Sequence, residues 1–213
     1  MAQITVASGR CWQYSHYIGR QGGAGTGFSS PIGVAIGKDD MLYVANRAAP
    51  RITKTTVDQE FIGEFGRGAV QANVFGGPAV SEQENPFVWL TGIALDKDEN
   101  IYTTDEWLNR ITVFNRDGAF ISKWGEPGSA DGQLDGPAGL VISPDDVMYL
   151  TDSKNHRVQK FTVDGQYLGQ FGSYGIGAGQ LDMPWGITLD KDGNVYVADW
   201  RNDRVQQFSP DGQ

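Results

Sequence analysis

One frame recurs four times along this chain, and it limits what the chain can fold into more than any other feature. The frame reads Gly-h-h-h, a polar turn, h-Tyr-h-h-Asp, then Arg-h-x-x-Phe, with h apolar. It begins at Gly33, Gly92, Gly139 and Gly186, at spacings of 59, 47 and 47 residues. Such self-similarity is the mark of a repeat architecture. The most conspicuous polar segment, DSKNHRVQKF from Asp152, is therefore no isolated cluster: DEWLNRITVF from Asp105 and DWRNDRVQQF from Asp199 repeat it, and Asn46 with Arg51 keep the spacing in a looser first copy.

Each unit contains apolar runs of strand length. GVAIG, MLYVAN, RITKTTV and EFIGEFG form the first set, GLVIS, VMYLTD, RVQKFTV and YLGQFG the third. They are rich in β-branched and aromatic residues and bounded by Gly, Asp, Asn or Pro, which predicts four short strands per unit. DKDEN, SPDD and DKDGN join first strands to second, and NRDGA and TVDGQ join third to fourth. Asp-Gly and Asp-Asn pairs tolerate positive φ and suit tight hairpins, so the meander is antiparallel. Four-stranded units of this size bury both faces only by stacking radially. The expectation is an all-β chain, one β-propeller domain over residues 1–213. First strands then line the channel, and the Asp-x-x-x-x-Arg turns share a top face with the loops that lead into the blades, such as EPGSADGQLDGP.

The motifs P-x-G-h-h-h, DGNVYVADW, RVQQF and the closing FG or WG resemble the NHL repeat, a six-bladed propeller family. The likeness spans the chain; it is strongest in the last two units and looser in the second, where Leu90 stands in the Pro position. The resemblance implies six blades, against four frames counted. Residues 12–19, WQYSHYIG, align with an outer fourth strand, and ITVAS echoes a third. Three expectations stay open: a truncated copy of a six-bladed ring, a closed four-bladed ring, or self-association through open blade edges.

The count of 26 acidic against 17 basic residues gives a formal charge of -9, which argues against nucleic acid as a partner. Cys11 is the one cysteine, so no intrachain disulfide or Cys-based zinc site can form. The sequence has no long apolar segment, and Met1-Ala-Gln-Ile lacks the basic and apolar regions of a leader. The expectation is no membrane association and, by default, a cytoplasmic location.

The repeated pairs Asp105 with Arg110, Asp152 with Arg157 and Asp199 with Arg204 read as structural turn residues, because recurrence in every unit favours architecture over a singular site. Asn109, Asn155 and Asn202 read as turn formers. The Asp96-Lys-Asp98-Glu-Asn100 and Asp190-Lys-Asp192-Gly-Asn194 segments alternate oxygen ligands as a calcium loop does but lack its closing Glu, so they read as hairpin turns. The glycine-rich stretch Gly22–Gly27 has no following Lys-Ser/Thr and reads as a loop. His16 and His156 are the histidines, too few for the His-rich metal site of the NHL-like peptide-amidating lyase. His156 fills a turn slot held by Asp203 and, offset by one residue, by Asn109. No catalytic residue, metal site or cofactor is expected.

The copies differ in what decorates the top face. After the turn Asp come Glu106-Trp107, Ser153-Lys154 and Trp200-Arg201, and the middle of P-x-G holds Ile32, Thr91, Ala138 and Trp185. Trp and Arg on a rim either recognise a ligand by stacking and hydrogen bonding or fill space between blades. The nominated ligand-binding set is Glu106, Trp107, Lys154, His156, Trp185, Trp200 and Arg201, for a protein, peptide or small-molecule partner. The insert in residues 68–90 carries Phe75, Phe87 and Trp89, which either line a groove or tuck the insert down. The alternative reading is a metal-dependent propeller enzyme of lactonase or lyase type, with a divalent cation held in the channel by carboxylates and Asn.

Overall fold

The apolar runs become strands because one side chain in two is driven into a joint between neighbouring sheets. In Val195–Asp199, for example, Val195, Val197 and Asp199 are buried while Tyr196 and Ala198 are not. The computed structural model describes residues 4–7, 10–13, 17–23, 25, 27–66 and 87–213. Two short strands come first, β1 (Ile4–Ala7) and β2 (Arg10–Gln13), paired antiparallel. They are followed by β3 (Arg20–Gln21) and β4 (Gly27–Phe28), which pair in parallel.

Four antiparallel meanders follow among the described residues, arranged as blades of a β-propeller. Blade 1 is β5 (Pro31–Ile36), β6 (Met41–Asn46), β7 (Arg51–Thr56) and β8 (Phe61–Phe65). Blade 2 is β9 (Leu90–Leu95), β10 (Ile101–Asp105), β11 (Arg110–Phe114) and β12 (Phe120–Trp124). Blade 3 is β13 (Pro137–Ile142), β14 (Val147–Asp152), β15 (Arg157–Thr162) and β16 (Tyr167–Phe171). Blade 4 has three described strands, β17 (Pro184–Leu189), β18 (Val195–Asp199) and β19 (Arg204–Phe208). The first strands β5, β9, β13 and β17 are neighbours in that order, so they form the inner wall. Each is an edge of its own sheet, which is why Pro31, Pro137 and Pro184 are tolerated there.

The core is divided among three joints. Tyr43 and Ile52 of blade 1 meet Ile93, Ile101 and Phe114 of blade 2; Tyr102 and Ile111 of blade 2 meet Leu140, Met148 and Phe161; Tyr149 and Val158 of blade 3 meet Val195, Val197 and Phe208. Phe87, Leu134 and Leu181 plug the three joints from above, each five residues before the frame glycine, and Phe28 holds the same place before blade 1. Each plug lies against a glycine with positive φ: Gly19, Gly66, Gly125 and Gly172. A Cβ there would meet Phe28, Phe87 and Leu181 at 2.3, 2.3 and 2.6 Å, and at Gly125 the Asn109 carbonyl oxygen at 2.7 Å. The closing FG or WG of the repeat is therefore required twice over, by backbone conformation and by the plug.

The N-terminal segment is described only in part. Within residues 12–19, Trp12 and Gln13 belong to β2, opposite Thr5 and Ile4 of β1, and residues 14–16 lie outside the described residues. Tyr17–Gly19 keeps the closing position without being a strand. Phe87, offered as a groove residue, is a core plug; Phe75 and most of the insert lie outside the described residues, as does His16. No described helix is long and apolar enough to cross a membrane.

Candidate functional site

The top face is built on the Asp-x-x-x-x-Arg turns, and their hydrogen bonds explain its rigidity. Asp152 is fully buried and accepts bonds from the Asp135 N–H (2.7 Å), Asn155 Nδ2 (2.9 Å), Arg157 Nε (2.8 Å) and Gln159 Nε2 (3.0 Å). Asp199 repeats the set with the Asp182 N–H, Asn202, Arg204 and Gln206. Asp105 takes the N–H groups of Val88, Trp89, Trp107 and Leu108, and Asn46 that of Ser29. In every blade the acceptor holds the loop entering that same blade. Arg157 adds bonds to the Ala130 and Gln133 carbonyls, and Arg204 to those of Ile176, Gly177 and Gln180. Arg110 stands opposite Asp105 in register. Burial pushes the Asp199 carboxyl upward, but the bonds from Asp182, Asn202 and Arg204 outweigh it and hold the group below the usual carboxylate value.

Asn109, His156 and Asp203 occupy one left-handed position, with φ of 49°, 55° and 50°. They fall in register at spacings of 47, so the one-residue offset read between Asn109 and His156 is corrected. Asn109 Oδ1 accepts the Gly136 N–H (2.7 Å), and His156 Nδ1 accepts the Met183 N–H (3.1 Å) in its place. That bond puts the proton of the neutral ring on Nε2. Asp182 Oδ1 lies 3.2 Å from the same Nδ1, and the ring meets Tyr174 edge-on at 4.7 Å.

On this frame six of the seven nominated residues, all but Trp107, fall into three groups. Glu106 lies between Arg47 (3.3 Å) and Lys154 (4.0 Å), and Lys154 also approaches Asp135 (3.6 Å). Arg47 in turn covers the Trp89 ring at 4.3 Å. Trp185 and Trp200 meet at 6.1 Å and 62°, with the Arg201 guanidinium 5.7 Å from the Trp200 ring. His156 stands with Tyr174 and Asp182. Trp107 and Trp200 are 72% and 55% exposed, so neither fills space between blades. Of the P-x-G residues, Thr91 and Ala138 are buried, whereas Trp185 is half-buried.

Arg47, Tyr174 and Asp135 escaped the sequence reading. Arg47 follows Asn46 as Glu106 follows Asp105, so the repeat alignment was the signal that would have found it. The shallow cavity lined by Tyr17, Phe28, Thr53 and Thr55 contains none of the nominated residues.

The carboxylates that recur around the top face do not fit a cation. Asp105, Asp152 and Asp199 each spend their oxygens on N–H donors. Among the described residues no three His, Cys, Asp or Glu side chains converge on one point. The calcium-like segments are turns: Asp190 Oδ1 accepts the Asp192 and Asn194 N–H groups and Oδ2 the Asn194 side chain, and Asp96 does the same toward Asp98 and Asn100.

Residues 128–213, covering blades 3 and 4 and the loop before them, match the family model of the SMP-30/Gluconolactonase/LRE-like region. No curated protein matches the chain. Among solved structures it is similar to catalytically inactive virginiamycin B lyase from Staphylococcus aureus with quinupristin, at 16% identity over 84% of this chain and 55% of that one, TM-score 0.57. The selenomethionine-substituted form of the S. aureus lyase gives 17%, 98%, 62% and 0.58. Kuenenia stuttgartiensis hydrazine synthase gives 17%, 90%, 52% and 0.55. At these identities the likeness shows the fold, and the chain spans a little over half of the length of these structures.

Proposed function

We propose that this chain is an NHL-like propeller scaffold whose top face binds a polypeptide. The observation that carries the reading is the exposure of Trp107 and Trp200 on turns that Asp105 and Asp199 hold with several hydrogen bonds each. Large aromatics held in solvent by a rigid frame lose little entropy when a partner covers them. With Trp89 and Tyr174 also exposed, the aromatics are spread over several blades, which suits an extended ligand better than a small one. The three groups around Glu106, His156 and Trp200 would supply stacking and orienting hydrogen bonds. Selection of a random peptide library on the immobilised chain tests this. Enriched peptides should lose at least tenfold in affinity for the Trp107→Ala or Trp200→Ala variant; indifference to both substitutions would refute the reading.

A second reading, an enzyme of lactonase or lyase type, is favoured by the family match over residues 128–213. It requires a divalent cation, and the recurring carboxylates Asp105, Asp152 and Asp199 already spend their oxygens on N–H donors. Chelator-sensitive turnover of a lactone with stoichiometric bound metal would move the assignment there.

A further inference from the structure

The three internal joints share one contact. A Cβ on Gly33 would meet Ile93 Cγ2 at 3.0 Å, on Gly92 the Ala138 oxygen at 2.6 Å and Leu140 Cδ2 at 2.8 Å, and on Gly139 the Trp185 oxygen at 2.5 Å and Ile187 Cγ2 at 3.2 Å. The frame glycine of each blade is thus a socket for the apolar residue that follows the frame glycine of the next blade. Beside it, Ile52, Ile111 and Val158 are fully buried in the three joints.

The last socket and the first knob are both uncovered. A Cβ on Gly186 would touch only Ala198 of its own blade, at 3.5 Å, and Val205, the counterpart of Val158, is 67% exposed. At the other end Val34, the counterpart of Ile93, is 59% exposed, and Ile36 of the same strand 69%. Strand β19 has no strand along its outer edge among the described residues, unlike β7, β11 and β15. The two faces match as the internal joints do: Gly186 lacks a branched apolar knob, and Val34 is one.

We propose that a second copy of this chain docks head to tail, Val34 and Ile36 of one copy entering the face formed by Gly186, Tyr196 and Val205 of the other. The contact continues the blade-to-blade packing already present and removes an apolar patch from water. It is heterologous: two copies about a two-fold axis make it twice and close, and otherwise it propagates.

The test is the solution mass of the chain by sedimentation equilibrium, with two variants. Gly186→Val fills the socket where the isolated chain has room; Val34→Asp charges the knob where it is already exposed. The wild type is expected at twice 23.2 kDa or more, rising with concentration, and each variant at 23.2 kDa with the melting temperature of wild type diluted until it is monomeric. Mixing the variants restores one joint, G186V supplying Val34 and V34D supplying Gly186, so the doubled mass reappears. A wild type that stays at 23.2 kDa at the highest attainable concentration overturns the proposal. So does assembly that persists in both variants.

Discussion

Replacing Asp152 by Ala should destabilise the propeller more than the same change at Asp199, although both accept the same four kinds of donor. Around Asp152 the Arg157 side chain is 8% exposed, so the substitution leaves a buried guanidinium without its carboxylate and the Asp135 N–H without its acceptor, while Asn155 and Gln159 keep one carbonyl partner each. Removing one member of a buried pair costs about 3–5 kcal/mol. Arg204, opposite Asp199, is 30% exposed, and water can take over part of what is lost. There the cost should approach that of unsatisfied buried donors alone, about 1–3 kcal/mol. Urea denaturation followed by tryptophan fluorescence reads the difference. With a slope of about 3 kcal/mol per M, Asp152→Ala lowers the midpoint by about 1–1.7 M. The double variant Asp152→Leu with Arg157→Met should recover part of the loss, because it removes both charges. Equal midpoints for the two single variants, or a loss below about 1 kcal/mol at Asp152, would refute the view that burial of the arginine sets the cost.

Two further outcomes follow from the repeat. Gly139→Ala should lower the melting temperature by several degrees, its Cβ falling 2.5 Å from the Trp185 oxygen, while Gly186→Ala should leave it within error at a dilution where the chain is monomeric; calorimetry of the two decides. Asp199 sits below its ordinary value of 3.8, so the unfolded chain takes up the proton first as pH falls. The stability it contributes is complete above that ordinary value and disappears as pH drops through the folded one. The melting difference between wild type and Asp199→Asn should therefore be constant near neutrality and shrink in acid below about pH 3.8.

Much of this was open to reading in one dimension. The alternation of apolar residues, the Asp-Gly hairpins and the recurring frame determine four-stranded antiparallel blades and their stacking, because strand period and turn chemistry are local properties. The recurrence of Asp105, Asp152 and Asp199 likewise set them apart from the varying residues beside them. What the sequence left open depends on distance across joints. Nothing local says that Phe87 plugs a joint while Trp89, two residues on, lies under Arg47 in solvent. The spacing of 47 already aligns Asn109 with His156, but only the fold shows that both sit at the same left-handed turn and accept a main-chain N–H 27 residues ahead. The exposure of Val34 and Val205 belongs to this second class too. Their sequence contexts match those of buried counterparts, and only the absence of a packed neighbour in three dimensions separates them.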